Sequence, residues 1–293
     1  MTRAGNVTVV GRPNVGKSTL LNRIIGQKLS ITSAKPQSTR NRIVGILTAD
    51  GVQMIITDTP GLLHPRYALQ RAMRAAALAA LQDADVIVYL SDAAAGPPVS
   101  LAEAAQLELA PRAPVLTVIN KVDTIGDAQR ERLRVESPAA LQISALTGAG
   151  VDALLAAVAE RLPESPYLYP EDEIGTQPLR FFASELVRET ALDQLEEEVP
   201  YSVACEIEEF REDRSPVYIR AVIYVERESQ KRILIGHKGA RIREIGRVGR
   251  AKIEALVGAP VYLDTWVKVL PNWRRNVRAL RRFGFTVPEE HDA

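Results

Sequence analysis

The sequence predicts an α/β domain with a mostly parallel sheet and helices on both faces, followed by a smaller α+β domain. Three observations carry this. Short β-branched apolar runs alternate with helical stretches through the first half of the chain. A glycine-rich loop ends the first of those runs and opens the first helix. The stretch Pro163–Pro178, PESPYLYPEDEIGTQP, is rich in proline and acids and lacks apolar periodicity, and a different pattern resumes behind it.

Val7–Val10 reads as the first strand, running into a helix through Leu20–Ile25. Ile43–Thr48 and Val52–Thr57 are β-branched runs joined at Asp50-Gly51, a strong hairpin signal. An alanine-rich helix is expected over Tyr67–Leu81. Val86–Leu90 and Val115–Ile119 are continuous apolar runs, as buried parallel strands are. Leu141–Ile143 is a last short strand and Val151–Arg161 a closing helix. Behind the proline-rich stretch come a helix (Arg180–Glu197), strands Ser202–Phe210 and Val217–Glu226, a helical turn at Arg232–Ile235 and a helix (Ala240–Val257). An alternating strand, Val261–Leu270, and a basic tail of helical periodicity, Trp273–Arg282, complete the set. The expected domains are residues 1–165 and 179–293, with 166–178 as linker.

The 293 residues carry a formal net charge of +1, an average that hides a strong asymmetry. Glu171–Asp213 holds 14 acidic and 3 basic side chains, and Lys231–Arg282 holds 14 basic and 3 acidic. A single cysteine, Cys205, excludes an intramolecular disulfide and is expected to be a buried small hydrophobe. The N-terminus lacks a signal-peptide core, and no apolar run approaches the ~20 residues of a membrane span. A cytoplasmic protein, monomeric by default, is expected.

Gly11-Arg12-Pro13-Asn14-Val15-Gly16-Lys17-Ser18, followed by Thr19, fits G-x-x-x-x-G-K-[ST] between a strand and a helix. Glycines let backbone N–H groups curl around phosphate oxygens, and the helix N-terminus adds partial positive charge. Lys17 reaches the β- and γ-phosphates, and the Ser18 hydroxyl serves Mg²⁺. Asp58-Thr59-Pro60-Gly61 ends a strand, where the carboxylate can hold Mg²⁺ through water and the Gly61 N–H can sense the γ-phosphate. Asn120-Lys121-Val-Asp123 follows an apolar strand. The Asp123 carboxylate can accept the N1–H and exocyclic amine of guanine, and a site so built rejects adenine by roughly 10⁴-fold. Asn120 orients the loop and approaches the base, the Lys121 stem covers its face, and Ser144-Ala145-Leu146 offers a backbone N–H to the guanine O6.

These motifs resemble the translation-factor-related P-loop GTPases. The segment Ser30–Gly45, with Gln37-Ser38-Thr39-Arg40, resembles the first switch of the bacterial Era GTPases. The resemblance implies that Thr39 closes on Mg²⁺ and the γ-phosphate; Ser38 stands where the family usually has Thr, and a hydroxyl is retained. The catalytic set is then Lys17, Thr39, Asp58 and Gly61, and the metal set Ser18, Thr39 and Asp58. Leu62 occupies the place of the water-orienting Gln of Ras-like enzymes, so intrinsic hydrolysis is expected to be slow. Asn14 matches a position that binds potassium in related GTPases; K⁺ binding and simple loop shaping both remain open for it.

Gly236-His237-Lys238-Gly239 stands between two helical segments in the basic block. It resembles the Gly-x-x-Gly loop of a KH domain, and two strands before the loop and one after look like the type II arrangement. His237, Lys238, Arg241 and Arg243 would meet phosphate, with Arg247, Arg250 and Lys252 extending the positive surface. Trp273, Arg274, Arg275 and Arg278 would add stacking and phosphate binding, whereas Trp266 could be core. A GTPase domain followed by a KH domain is the architecture of the Era family over essentially the whole chain. That resemblance implies assembly of the small ribosomal subunit, binding of the 3′ end of 16S rRNA, a GTP/GDP cycle, and peripheral association with the cytoplasmic face of the inner membrane. A regulatory GTPase whose basic domain binds anionic lipid headgroups is the alternative. A tRNA-modifying GTPase would carry a reactive cysteine near its C-terminus, where this chain has none.

Overall fold

The computed structural model describes residues 1–33 and 35–288, so Ala34 of the switch segment and the last five residues of the second expected domain lie outside it. The chain divides into two units. The first comprises residues 1–32, 39–66 and 70–176; the second comprises 33–38, 67–69 and 177 onward.

In the first unit, β1 (Arg3–Gly11) leads through the glycine-rich loop into α1 (Lys17–Ile25). β2 (Ile43–Ala49) and β3 (Val52–Asp58) form an antiparallel hairpin with Ile46 opposite Ile55. Its turn places Asp50 at φ 51° and Gly51 at φ 77°, the left-handed pair that matches strand twist. α2 (Ala68–Gln82, in this unit from Gln70 onward), β4 (Val86–Asp92), α3 (Leu101–Ala105), β5 (Val115–Asn120), α4 (Asp127–Glu136), β6 (Leu141–Gln142) and α5 (Val151–Ala159) follow. The sheet order is β2-β3-β1-β4-β5-β6, and β2 alone runs against the rest. Val86–Leu90 is buried on both faces, as the continuous apolar run requires. The parallel strands therefore deliver the loop after Gly11, the end of β3 at Asp58 and the end of β5 at Asn120 to one edge of the sheet. That edge is where open α/β sheets bind ligands.

In the first unit, α4 and the stretch expected as linker depart from the sequence expectations. α4 is a helix of mostly exposed polar residues anchored by buried Leu133, and it carries too little apolar periodicity to be read directly. The stretch expected as linker is tied to the hairpin up to Thr176. Leu168 N and Tyr169 N donate to Gln53 Oε1 at 2.7 and 3.0 Å, and Ile46 N donates to Ile174 O at 3.0 Å.

The second unit contains α6 (Leu179–Gln194), α7 (Val199–Ser202), β7 (Ala204–Arg211), β8 (Val217–Val225), α8 (Glu228–Ile235), α9 (Ala240–Val257), β9 (Val261–Val269) and α10 (Val277–Arg282). The sheet order is β7-β8-β9, antiparallel then parallel. α6 stops short of the expected Glu197. Three glutamates at 196–198 would sit on the negative end of the helix dipole, and Leu195 turns instead into the core. The core joins Leu186 and Val187 of α6 and Ile245 and Ile253 of α9 to Val217, Ile219, Ala221, Ile223 and Val225 of β8. The helices thus cover one face of this sheet.

Candidate nucleotide and RNA sites

The phosphate loop needs its glycines for close approach. A Cβ on Gly11 would meet Leu90 O at 2.3 Å, and one on Gly16 (φ 99°) would meet Asn120 Nδ2 at 2.3 Å. Asn14 also lies in the left-handed region, at φ 64°. Lys17 is buried, and its ammonium donates to the carbonyls of Gly11 at 3.2 Å and Arg12 at 2.9 Å. Burial lowers its pKa to about 8, opposed in part by the charge of Asp58.

Below the loop four oxygen-bearing side chains converge. Ser18 Oγ donates to Asp58 Oδ2 at 2.6 Å and lies 2.8 Å from Thr39 Oγ1. Ser30 Oγ donates to the same carboxylate oxygen at 2.8 Å. Asp58 Oδ1 is buried and has no partner. Burial holds this carboxyl above its ordinary range, against Lys17 and the surrounding hydroxyls. The unpartnered Asp58 oxygen beside the Ser18 and Thr39 hydroxyls is an oxygen donor set that fits Mg²⁺. Among the described residues no group of three or more His, Cys, Asp or Glu could hold a metal, so a cation here relies on hydroxyls, this one carboxylate and ligand oxygens.

Gly61 packs directly on the phosphate loop, where an added Cβ would meet the Pro13 backbone N at 2.8 Å. Thr59 Oγ1 is spent on Val9 O at 2.8 Å. Leu62 donates its N–H to Gly11 O at 3.0 Å, and its side chain is buried with Val10, Ile87 and Tyr89. It points into the core and offers nothing polar to water.

At the end expected to meet the base, Asn120 is buried and bridges two loops. Its Nδ2 donates to Val15 O at 2.7 Å, and its Oδ1 accepts from Ala145 N at 2.8 Å. Lys121 (φ 65°) pairs with Asp92 at 2.7 Å, while Asp123 is exposed. Of the three backbone amides at Ser144-Ala145-Leu146, Ser144 N is committed to Ala149 O and Ala145 N to Asn120. That leaves the exposed Leu146 to present its N–H. A cavity of about 390 Å³ opens beside these loops, bounded by Thr19, Asn22, Lys28, Thr32 and Leu146.

In the second unit the Gly-x-x-Gly loop joins α8 to α9. Gly236 takes φ 74°, Lys238 φ 47° and Gly239 φ 77°. A Cβ on Gly236 would meet Arg241 Cβ at 2.8 Å. Arg241 donates to Ile233 O at 2.6 Å and Arg243 to Lys238 O at 3.0 Å, so each guanidinium braces the loop and keeps further N–H groups for a ligand. Trp273 corrects the sequence reading. It is fully buried, donates Nε1–H to Ser202 O at 2.8 Å and packs edge-on to Phe283, so it cannot stack on a base. Trp266 is 54% exposed and is not core. Cys205 is only partly covered, and burial pushes its thiol pKa upward.

A family model described as 50S ribosome-binding GTPase matches residues 6–121, and one described as KH domain matches residues 198–274. The chain is 43% identical to GTPase Era of Carboxydothermus hydrogenoformans over 97% of its own length and 98% of the relative's. It is 45% identical to GTPase Era of Pseudomonas aeruginosa, covering 97% and 95%. Among solved structures, a Tyr-to-Ala variant of Aquifex aeolicus Era bound to GDP·AlF4⁻ matches with TM-score 0.90 and 41% identity, covering 98% of this chain and all of that one. A structure of Era with MgGDPNP and nucleotides 1506–1542 of 16S ribosomal RNA matches with TM-score 0.91, the same identity and the same coverage. The KH match favours RNA over the anionic lipid considered as the alternative.

Proposed function

The chain belongs to the Era family of GTPases, and on that premise we propose that it acts in assembly of the small ribosomal subunit. It binds and hydrolyses GTP. Residues 1–165 form the GTPase domain, 166–178 the connection and 179–293 the domain that takes the 3′ end of 16S rRNA. The relative solved with MgGDPNP and 16S rRNA supports that choice of ligands.

The observation that carries the nucleotide reading is the convergence of Ser18, Thr39 and the unpartnered Asp58 Oδ1 beneath the phosphate loop. Ser18, Thr39 and Asp58 would hold Mg²⁺, which supplies neutralising charge to the β- and γ-phosphates. Lys17 exchanges the carbonyls of Gly11 and Arg12 for phosphate oxygens, gaining a counter-charge for a buried ammonium. Gly61, seated against Pro13, presents its N–H to the γ-phosphate. Asp123 reads the guanine edge, and the Leu146 N–H meets O6. Titration calorimetry with GTP and ATP tests this set; ATP bound as tightly as GTP overturns it.

Hydrolysis is slow because no side chain at Leu62 can orient water. Asn14 would hold a potassium ion at the phosphates, and turnover in K⁺ salts is then expected to exceed that in Na⁺ salts; equal rates remove this role and leave Asn14 to shape the loop, where it takes φ 64°. Gly236, His237, Lys238, Gly239, Arg241 and Arg243 hold the RNA backbone. Crosslinking to cellular RNA with and without a non-hydrolysable GTP analogue reads this directly, and an rRNA 3′-end signal that ignores the analogue rejects the switch.

A cytoplasmic, monomeric protein with peripheral contact to anionic membrane completes the proposal. Among the described residues no helix is long and apolar enough to cross a membrane. Flotation with phosphatidylglycerol vesicles and sedimentation velocity check the two points.

A further inference from the structure

The sheet of the second unit has a second face, turned away from α6 and α9. In β8 the core side is Val217, Ile219, Ala221, Ile223 and Val225, so Tyr218, Arg220, Val222 and Tyr224 point the other way. In β9 the same parity turns Tyr262, Asp264, Trp266 and Lys268 outward. The cross-strand partners agree, Tyr218 opposite Tyr262 and Arg220 opposite Asp264. One end of this face is closed, because Tyr224 is buried against Phe283 just beyond α10. The other end is open: Tyr262 is 58% and Trp266 54% exposed.

The rings at the open end are held in place. Tyr218 and Tyr262 stack with centroids 5.8 Å apart and planes 11° from parallel. Asp264 Oδ2 fixes three donors at once, Trp266 Nε1 at 2.9 Å, Tyr218 OH at 3.1 Å and Arg220 Nε at 3.2 Å. Three guanidiniums gather on the Tyr218 ring, Arg214 at 4.7 Å, Arg211 at 5.5 Å and Arg220 at 5.7 Å. The carboxylates on the face are engaged: Glu209 with Arg211 and Arg220, Asp264 with Arg220, Glu208 with Lys268, Glu206 with Arg282. Glu212 and Asp213 lie in the turn beyond the rings. Arg214 makes no ion pair among the described residues.

We propose that this open sheet face is a stacking surface for unpaired bases of RNA, separate from the Gly-x-x-Gly loop. Fixed aromatic rings are what the bases of single-stranded nucleic acid stack on, and Arg214, the guanidinium on the Tyr218 ring that is not neutralised by a carboxylate among the described residues, is the cation left for a phosphate. Tyr262 and Trp266 are four residues apart on one strand, about 13 Å, so they take different bases. β9 is an edge strand, which lets an RNA strand pass from the helix-covered side onto the rings. The proposal rests on the RNA reading of this domain and extends it to a second surface.

The test exploits the two tryptophans, of which only Trp266 is exposed. Full-length protein carrying Gly236→Asp and Gly239→Asp is titrated with oligo(A) RNA at low salt. Tryptophan emission is expected to be quenched, and Trp266→Phe is expected to abolish the signal while binding persists. Tyr262→Ala with Trp266→Ala, both at exposed positions, is expected to weaken oligo(A) binding on the order of tenfold or more, with GTP turnover unchanged. Emission indifferent to RNA, with equal RNA affinity in the double variant, overturns the proposal and is the result a protein-docking face would give. The loop is tested separately: if the glycine variants leave rRNA binding intact while Trp266 is quenched, the loop assignment fails and the sheet surface stands.

Discussion

Asn120 reaches the carbonyl of Val15 at 2.7 Å, so one buried side chain ties the 120–123 loop, proposed to read the base, to the glycine-rich loop proposed to hold the phosphates. Its other end accepts the Ala145 amide at 2.8 Å. The guanine recognition proposed for these loops would rest on a frame whose centre is this amide.

Asn120→Ala leaves a buried carbonyl and a buried N–H without partners. The expected cost is about 1–3 kcal/mol for each group. Thermal unfolding is expected at lower temperature, and GTP affinity by calorimetry is expected to fall at least tenfold. Asn120→Asp keeps the acceptor for Ala145 but sets an anion against the Val15 carbonyl, so it is expected to be no better. Unaltered GTP affinity in both variants would remove Asn120 from the frame.

Lys17 links nucleotide binding to protons. Burial brings its pKa from 10.5 to about 8 in the nucleotide-free protein. Above pH 8 the folded protein loses this proton while the unfolded chain keeps it up to pH 10.5. The unfolded state then binds more protons, so this group makes stability rise with pH between about 8 and 10.5. The shift corresponds to about 3 kcal/mol over that window. Phosphates arriving at Nζ favour the ammonium, so GTP binding at pH 8.5–9 is expected to take up a proton. Calorimetry in two buffers of different ionisation enthalpy measures the uptake, and Lys17→Met is expected to abolish it.

Leu62→Gln asks whether the missing water-orienting side chain can be restored. The Leu62 side chain is buried beside Ile87 and Tyr89, with its N–H held by Gly11 O. A glutamine there buries an amide among apolar groups at a cost of about 1–3 kcal/mol. Turnover is expected to stay at or below that of the parent. A turnover increase of tenfold or more would show that the position can swing out to the phosphates.

The candidate nucleotide site is legible in the sequence because each of its parts is local. A phosphate loop, a carboxylate ending a strand and an Asn-Lys-x-Asp turn each declare their chemistry within a few residues, and a parallel sheet brings strand ends together. What lay beyond reading depends on distant packing. The inward turn of Leu62 is decided by neighbours on β1 and β4, and the commitment of Ala145 N by Asn120, 25 residues earlier. The two tryptophans illustrate both cases. Trp266, read above as a candidate for the core, is outward, and the signal for this is that it shares parity along β9 with Tyr262, Asp264 and Lys268, against Val261, Leu263, Val267 and Val269. Trp273 follows a turn at Pro271-Asn272 and is buried through Ser202 and Phe283, a placement no local period encodes.

That burial is itself testable. Trp273 is fully enclosed, donates to Ser202 O and meets Phe283 edge-on with centroids 5.3 Å apart. Trp273→Ala removes a large buried ring and leaves the carbonyl unpaired, with an expected loss of about 3–5 kcal/mol. Trp273→Phe keeps most of the apolar volume but loses the donor, so it is expected to cost less, about 1–3 kcal/mol. Urea unfolding followed by circular dichroism ranks the variants. Under native conditions Trp273→Phe is expected to bind rRNA as the parent does, because the ring never meets solvent. A selective loss of RNA affinity in a folded Trp273→Phe protein would return this residue to the binding surface.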